Sequence, residues 1–140
     1  MNRRNFLATV AGTMAAGTLV ALAGCVGSED GIGELTVIVT NEDEITHTVA
    51  VTVTNQAGDI VESVAGEDIE PGIARTFTSA GYPDDTYQVA VEEDSEDLPV
   101  WKQATRWSNL TACPSLVFEL RLTNRDGIRS VLPSERCELP

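Results

Sequence analysis

Between Thr48 and Thr54 the chain reads Thr-Val-Ala-Val-Thr-Val-Thr, so Val49, Val51 and Val53 recur at every second position. That is the period of an extended strand with one buried face, and β-branched residues suit a pleated surface better than a helix. Leu35, Val37 and Val39 show the same alternation one strand earlier. No window of eleven or more residues from Cys25 onward shows a persuasive helical period, so the chain is constrained to fold from strands.

Further strands are expected around Asp59 to Ala65, Ala74 to Ser79, Thr86 to Glu92, Val100 to Trp107, Ser115 to Thr123 and Ile128 to Leu132. Turn signals separate them at Asn41 to Ile45, Ala57-Gly58-Asp59, Glu70-Pro71-Gly72, Tyr82-Pro83-Asp84-Asp85 and Asn124-Arg125-Asp126-Gly127. Seven or eight short strands at this spacing predict an all-β domain over 34–140, an antiparallel immunoglobulin-like β-sandwich.

The N-terminal 24 residues obey a different logic. Arg3 and Arg4 give a positive start, Ala8 to Ala23 is weakly apolar, and Leu22-Ala23-Gly24-Cys25 is a small-residue exit. The apolar run is about 16 residues long and contains Gly12 and Gly17, short of the roughly 20 needed to span a bilayer. The paired arginines before Phe6-Leu7 resemble the twin-arginine export motif. Leu22 to Cys25 resembles a lipobox, in which the cysteine sulfur is lipidated and becomes the first mature residue. The expected organisation is a cleaved signal peptide over 1–24, then lipidated Cys25 and a flexible tether over 25–33, rich in Gly, Ser, Glu and Asp. Lipid on Cys25 would be the anchor, since each buried methylene contributes roughly 0.8 kcal/mol. The expected location is the extracellular face of the cell membrane.

Without the leader, 116 residues carry 22 acidic and 7 basic side chains, and Lys102 is the sole lysine. A net charge near −15 repels nucleic acid and anionic lipid headgroups. It also works against the compact state until molar salt shortens the screening length to about 3 Å. The balance suits a protein made for strong brine.

The run from Glu70-Pro71-Gly72 through Phe77 to Pro83-Asp84-Asp85-Thr86-Tyr87-Gln88-Val89 resembles a pattern common in exported immunoglobulin-like modules. There a Pro-Gly turn enters one strand, and a polar turn then feeds a Tyr-x-Val-x-Val strand. The resemblance covers about 25 residues and implies that Tyr87, Val89 and Val91 face the core. The whole chain resembles the small, twin-arginine-exported, lipid-anchored sandwich proteins of halophilic archaea, a group defined by architecture, so the resemblance informs fold rather than activity.

His47 is the only histidine. A cupredoxin copper site needs two His, a Cys and usually a Met. Here there is no second His, and Met1 and Met14 both lie in the leader, so His47 is read as a core-edge or strand-end residue. No serine sits in a Gly-x-Ser-x-Gly turn and no second base is present, so no catalytic residues are assigned. The acidic runs Glu42-Asp43-Glu44 and Glu92-Glu93-Asp94-Ser95-Glu96-Asp97 offer oxygens for calcium, but lack EF-hand spacing and read first as solvated loops. Trp101 and Trp107 share one strand parity; a core role is expected for both, the alternative being that one lies at an exposed edge and stacks on a ligand such as sugar. Asn109-Leu110-Thr111 is a glycosylation sequon.

Cys113 and Cys137 are expected to form a disulfide, since both lie outside the membrane and Cys25 is consumed by lipid. Their midpoint, residue 125, falls inside the Asn124 to Gly127 turn, which would set them nearly opposite in a hairpin. Metal ligation by the pair is the alternative. The functional expectation is a noncatalytic, cell-surface binding or accessory module with no cofactor, anchored through Cys25 and meeting a protein or glycan partner. The alternative is an accessory metal-binding or redox subunit that uses His47 and the acidic loops.

Overall fold

The computed structural model describes residues 31–94 and 101–138, with the two-residue strand β1 (Leu7–Ala8). Arg3, Arg4, Cys25 and positions 95–97 of the second acidic run lie outside the described residues. Eight longer strands follow β1: β2 (Gly33–Asn41), β3 (His47–Thr54), β4 (Ile60–Ile69), β5 (Ala74–Tyr82), β6 (Tyr87–Glu93), β7 (Lys102–Trp107), β8 (Ser115–Arg125) and β9 (Ile128–Cys137). They form two sheets, in the orders β1-β5-β2-β8-β9 and β4-β3-β6-β7. No described residue is helical. The fold is a β-sandwich.

All neighbouring strands are antiparallel except β2 and β8, which run parallel from Glu34 opposite Ser115 to Asn41 opposite Leu122. A parallel pair needs a long crossover, and the strands between them supply it by alternating between the two sheets.

The two-residue alternation sets the inner faces. Leu35, Val37 and Val39 meet Val49, Val51 and Val53, and Phe77, Val89, Val91, Trp107, Phe118, Leu120 and Leu122 join them in one core cluster. Tyr87, Val89 and Val91 do face that core. Tyr82, Tyr87 and Trp107 stack at ring-centre distances of 5.2 to 5.6 Å, the edge-to-face range aromatic rings prefer. The Tyr87 hydroxyl donates to the Pro83 carbonyl at 2.6 Å, and this closes the corner between β5 and β6 in the manner of an immunoglobulin tyrosine corner.

Three local features explain where the strands differ from the sequence expectation. Strand β4 runs to Ile69 instead of stopping at Ala65, because a bulge shifts its register against β3 between Val49 and Val51. Gly66 sits there with φ 72°, a backbone state glycine adopts cheaply, and beyond it the alternation resumes on the opposite parity. Strand β9 runs to Cys137 and is exposed along almost its whole length, so it had no buried face to reveal. The β8–β9 hairpin turns on Asp126 and Gly127, with φ of 56° and 82°, the two left-handed residues that a tight hairpin requires.

Polar contacts latch both sides of the sandwich. Buried Arg75 of β5 donates to Glu67 of β4, and Thr105 of β7 donates to Glu135 of β9. Each contact joins one sheet to the other.

Candidate functional site

His47 opens β3 and is 4% exposed, a buried strand-end residue. Its Nδ1 lies 2.8 Å from Glu93 Oε1 and its Nε2 2.9 Å from Asp43 Oδ2. Both carboxylates are buried too. Glu93 is the last residue of β6 and keeps the inward parity of Val89 and Val91. Asp43 belongs to the loop between β2 and β3, which is tied down by the Asn41 side chain. That side chain donates to the Ile45 and Ile69 carbonyls, both at 2.8 Å, and accepts from the Asp43 amide.

Four groups donate to the Asp43 carboxylate: His47, the Glu44 amide at 2.6 Å, Asn124 at 3.1 Å and Arg129 at 2.8 Å. Burial alone pushes this carboxyl up, but the hydrogen bonds from His47, Glu44, Asn124 and Arg129 outweigh it and hold it well below the usual carboxylate range. Asp43 is therefore ionised, and His47 Nε2 donates to it. On the other side, His47 Nδ1 and Glu93 Oε1 face each other across one shared proton, because two bare acceptors at this distance would repel. The Trp101 indole N–H also donates to Glu93 Oε1, at 2.7 Å. Arg129, whose side chain is 41% exposed, reaches in from the surface to balance the charge on Asp43, which offsets part of the cost of burying that carboxylate.

The cluster joins the β2–β3 loop, the ends of β3 and β6, the start of β7 and the β8–β9 hairpin at one end of the sandwich. It corrects the reading of the acidic runs as solvated loops at Asp43 and Glu93, while Glu42, Glu44, Glu92 and Asp94 are exposed. Asp43 and Glu93 point inward, while Glu42 stays outside and pairs with Arg121 at 2.9 Å. The two tryptophans differ in burial. Trp107 is 1% exposed in the core, whereas Trp101 is half-buried against the core's rim, where its N–H finds an acceptor.

What the cluster can do chemically follows from its hydrogen bonds. Both ring nitrogens of His47 are engaged by carboxylates, so the ring has neither a free lone pair for a metal nor a free base for a substrate. Asp43 and Glu93 flank the ring on opposite nitrogens and do not converge on one point. Among the described residues no group of three or more His, Cys, Asp or Glu side chains is placed to hold a metal ion.

Cys113 and Cys137 are joined, with sulfurs 2.07 Å and Cα atoms 5.4 Å apart. They are not opposite in the hairpin, however. The ladder sets Cys137 against Leu116, because the two-residue turn centres it beyond residue 125. The bridge closes because the segment after β7 turns back at Asn109, where the Ala112 and Cys113 amides both donate to its carbonyl at 3.0 Å. Asn109 itself is exposed with φ 56°. The Thr111 hydroxyl donates to its side-chain oxygen at 2.9 Å, so the sequon is accessible.

A second feature lies at the far end of the same strands. An open cleft of about 540 Å³ is lined by Thr54, Asn55, Gln56, Thr86, Gln88 and Arg106 among others. No sequence signal marked it, because its residues come from three strands and two turns. No protein-family model matches the chain, and no curated protein matches it either.

Proposed function

We propose that this chain is a noncatalytic, lipid-anchored module at the outer face of the cell membrane, binding its partner through an exposed surface of the sandwich. The observation that carries this reading is the state of His47. The one imidazole in the chain is spent on two buried carboxylates and holds five chain segments together, which is a scaffold's use of a histidine. Arg3, Arg4 and Cys25 supply the export and anchoring chemistry in the sequence, and a disulfide suits an oxidising exterior. The acidic surplus suits brine. An accessory metal or redox role would require His47 to give up one carboxylate, against the charge balance of the cluster.

The test is native purification of the full chain from membranes, with localisation and metal content measured together. Wild type should be protease-accessible on intact cells and carry no metal that depends on His47. Cys25→Ser should leave the membrane fraction, and Arg3→Lys with Arg4→Lys should stay in the cytoplasm. Membrane retention of exported Cys25→Ser refutes the lipid anchor. One equivalent of transition metal, lost in His47→Gln, refutes the noncatalytic scaffold in favour of the accessory metal subunit.

A further inference from the structure

The cleft at the end remote from His47 sits on the outer face of the second sheet. Thr54, Gln88 and Arg106 form one cross-strand row, with Gln88 opposite both Thr54 of β3 and Arg106 of β7. Asn55 and Gln56 of the β3–β4 turn, and Thr86 before β6, wall its end. At about 540 Å³ it has the size of a small-ligand site, for which roughly 300–1,000 Å³ is usual.

Its chemistry is unlike the rest of the surface. In a chain with 22 acidic residues, none of the ten lining residues is acidic. Arg75, Arg121, Arg129 and Arg136 are all paired with carboxylates. Arg106, like Arg125 and Lys102, is exposed with no salt bridge among the described residues, and of these three it alone lines this cleft. Beside it stand carboxamides and hydroxyls, groups that both donate and accept. The backbone of β3 and β6 beneath is committed to the β3–β6–β7 ladder, so a peptide lying across this row finds no main-chain partner there, and none of the ten lining residues is an exposed aromatic or large aliphatic side chain.

We propose that this cleft binds an anionic saccharide. Arg106 holds the carboxylate or sulfate through its planar fork, while Gln88, Gln56, Asn55 and Thr54 hydrogen-bond the ring hydroxyls. This rests on the binding-module reading and names its ligand class. The excess negative charge elsewhere opposes such a ligand only at long range, and molar salt confines that repulsion to about 3 Å.

The experiment is calorimetric titration of the detergent-solubilised full chain in 2 M potassium chloride. The probes are trigalacturonate, its fully methyl-esterified form, a galactose trisaccharide with one sulfate per residue, and a hexapeptide of alternating Asp and Gly. At least one of the two anionic saccharides should bind, and which one does separates carboxylate from sulfate. The methyl ester should bind roughly tenfold more weakly or worse, and Arg106→Gln should lose tenfold or more, as expected for a charge-assisted hydrogen bond. Gln88→Ala should lose less, Arg125→Gln should bind like wild type, and all variants should melt within about 2 °C of it.

Absence of binding by both anionic saccharides, equal binding by Arg106→Gln, or equal Arg106-dependent binding of the peptide overturns the proposal. Surface exposure on intact cells, scored separately, tells failure of this site from failure of the wider reading. An exposed, anchored chain that binds none of the probes loses only the saccharide site.

Discussion

Replacing Asp43 by asparagine keeps the shape of the side chain and removes the charge on which the buried cluster is balanced. The wild-type carboxylate accepts four hydrogen bonds, two of them from His47 and Arg129. With asparagine in its place Arg129 has no counter-charge, and one amide face presents donors to donors. Breaking a fully buried ionic pair from one side costs about 3–5 kcal/mol, but Arg129 is 41% exposed and water takes up part of its lost partner, so the cost is about 2–3 kcal/mol against a total stability of roughly 5–15 kcal/mol for a domain. At about 4 °C per kcal/mol for a domain of this size, Asp43→Asn should melt roughly 8–12 °C below wild type at pH 7.

The pH dependence gives a second, sharper reading. Asp43 binds its proton less readily in the folded chain than an ordinary aspartate does. Its contribution is therefore complete above about pH 4, the unfolded range, and is lost as pH falls below that toward the folded value. The variant has no such contribution to lose. The gap between wild type and Asp43→Asn should thus shrink as pH goes from 5 to 2. Trp107 reports the core and Trp101 the cluster, so fluorescence melts of the full chain follow both. A variant melting within 2 °C of wild type at pH 7, or a gap that does not change with acid, would refute the assignment of Asp43 as the cluster's anchor.

Other expectations follow from single features. Replacing Cys113 and Cys137 together by serine opens a loop with a sequence separation of 24 and should cost about 3.5 kcal/mol in urea unfolding, with no reactive thiol from this pair in the folded wild type. A methyl group on Gly33 would lie 2.6 Å from Leu110 Cδ2 and 2.8 Å from the Trp107 ring, so Gly33→Ala should lose about 1–3 kcal/mol in the same assay. The melting temperature should climb between 0.1 M and 3 M potassium chloride as repulsion among carboxylates is screened; a flat or falling trend would refute the brine reading.

The sandwich was legible because its inner faces are written in alternating Val, Leu, Tyr and Trp. The alternation was lost wherever the backbone departed from a plain strand, as at Gly66, or where a strand buried neither face, as in β9. The site was legible only in part. Glu93 shares the parity of Tyr87, Val89 and Val91 and so points inward, but its neighbours Glu92 and Asp94 made the run look like a solvated loop. Asp43 gave no such clue. Its burial depends on Asn124 and Arg129, some 80 residues away, and a partner brought in by β8 and β9 leaves no trace in the local pattern. The disulfide pairing followed from counting, while its geometry depended on a turn centre that only the register defines.

On the proposed reading, the two ends of the sandwich serve stability and recognition separately, and this makes the central proposals separable. Strands β3, β6 and β7 each run from one end to the other. Their ends at His47, Glu93 and Lys102 belong to the buried cluster or adjoin it, and their ends at Thr54, Gln88 and Arg106 line the cleft. Among the described residues His47, Asp43 and Glu93 at one end make no hydrogen bond to Thr54, Gln88 or Arg106 at the other, and distant sites without shared partners contribute additively. Asp43→Asn should therefore lower the melting temperature while leaving saccharide affinity unchanged at temperatures where the variant is folded. Arg106→Gln should do the reverse. The double variant should show the two effects summed, within about 0.5 kcal/mol on each axis. If Asp43→Asn weakened saccharide binding tenfold in its folded state, the cluster would have to reach the ligand site through the strands, and the picture of a passive scaffold carrying an independent binding face would be wrong.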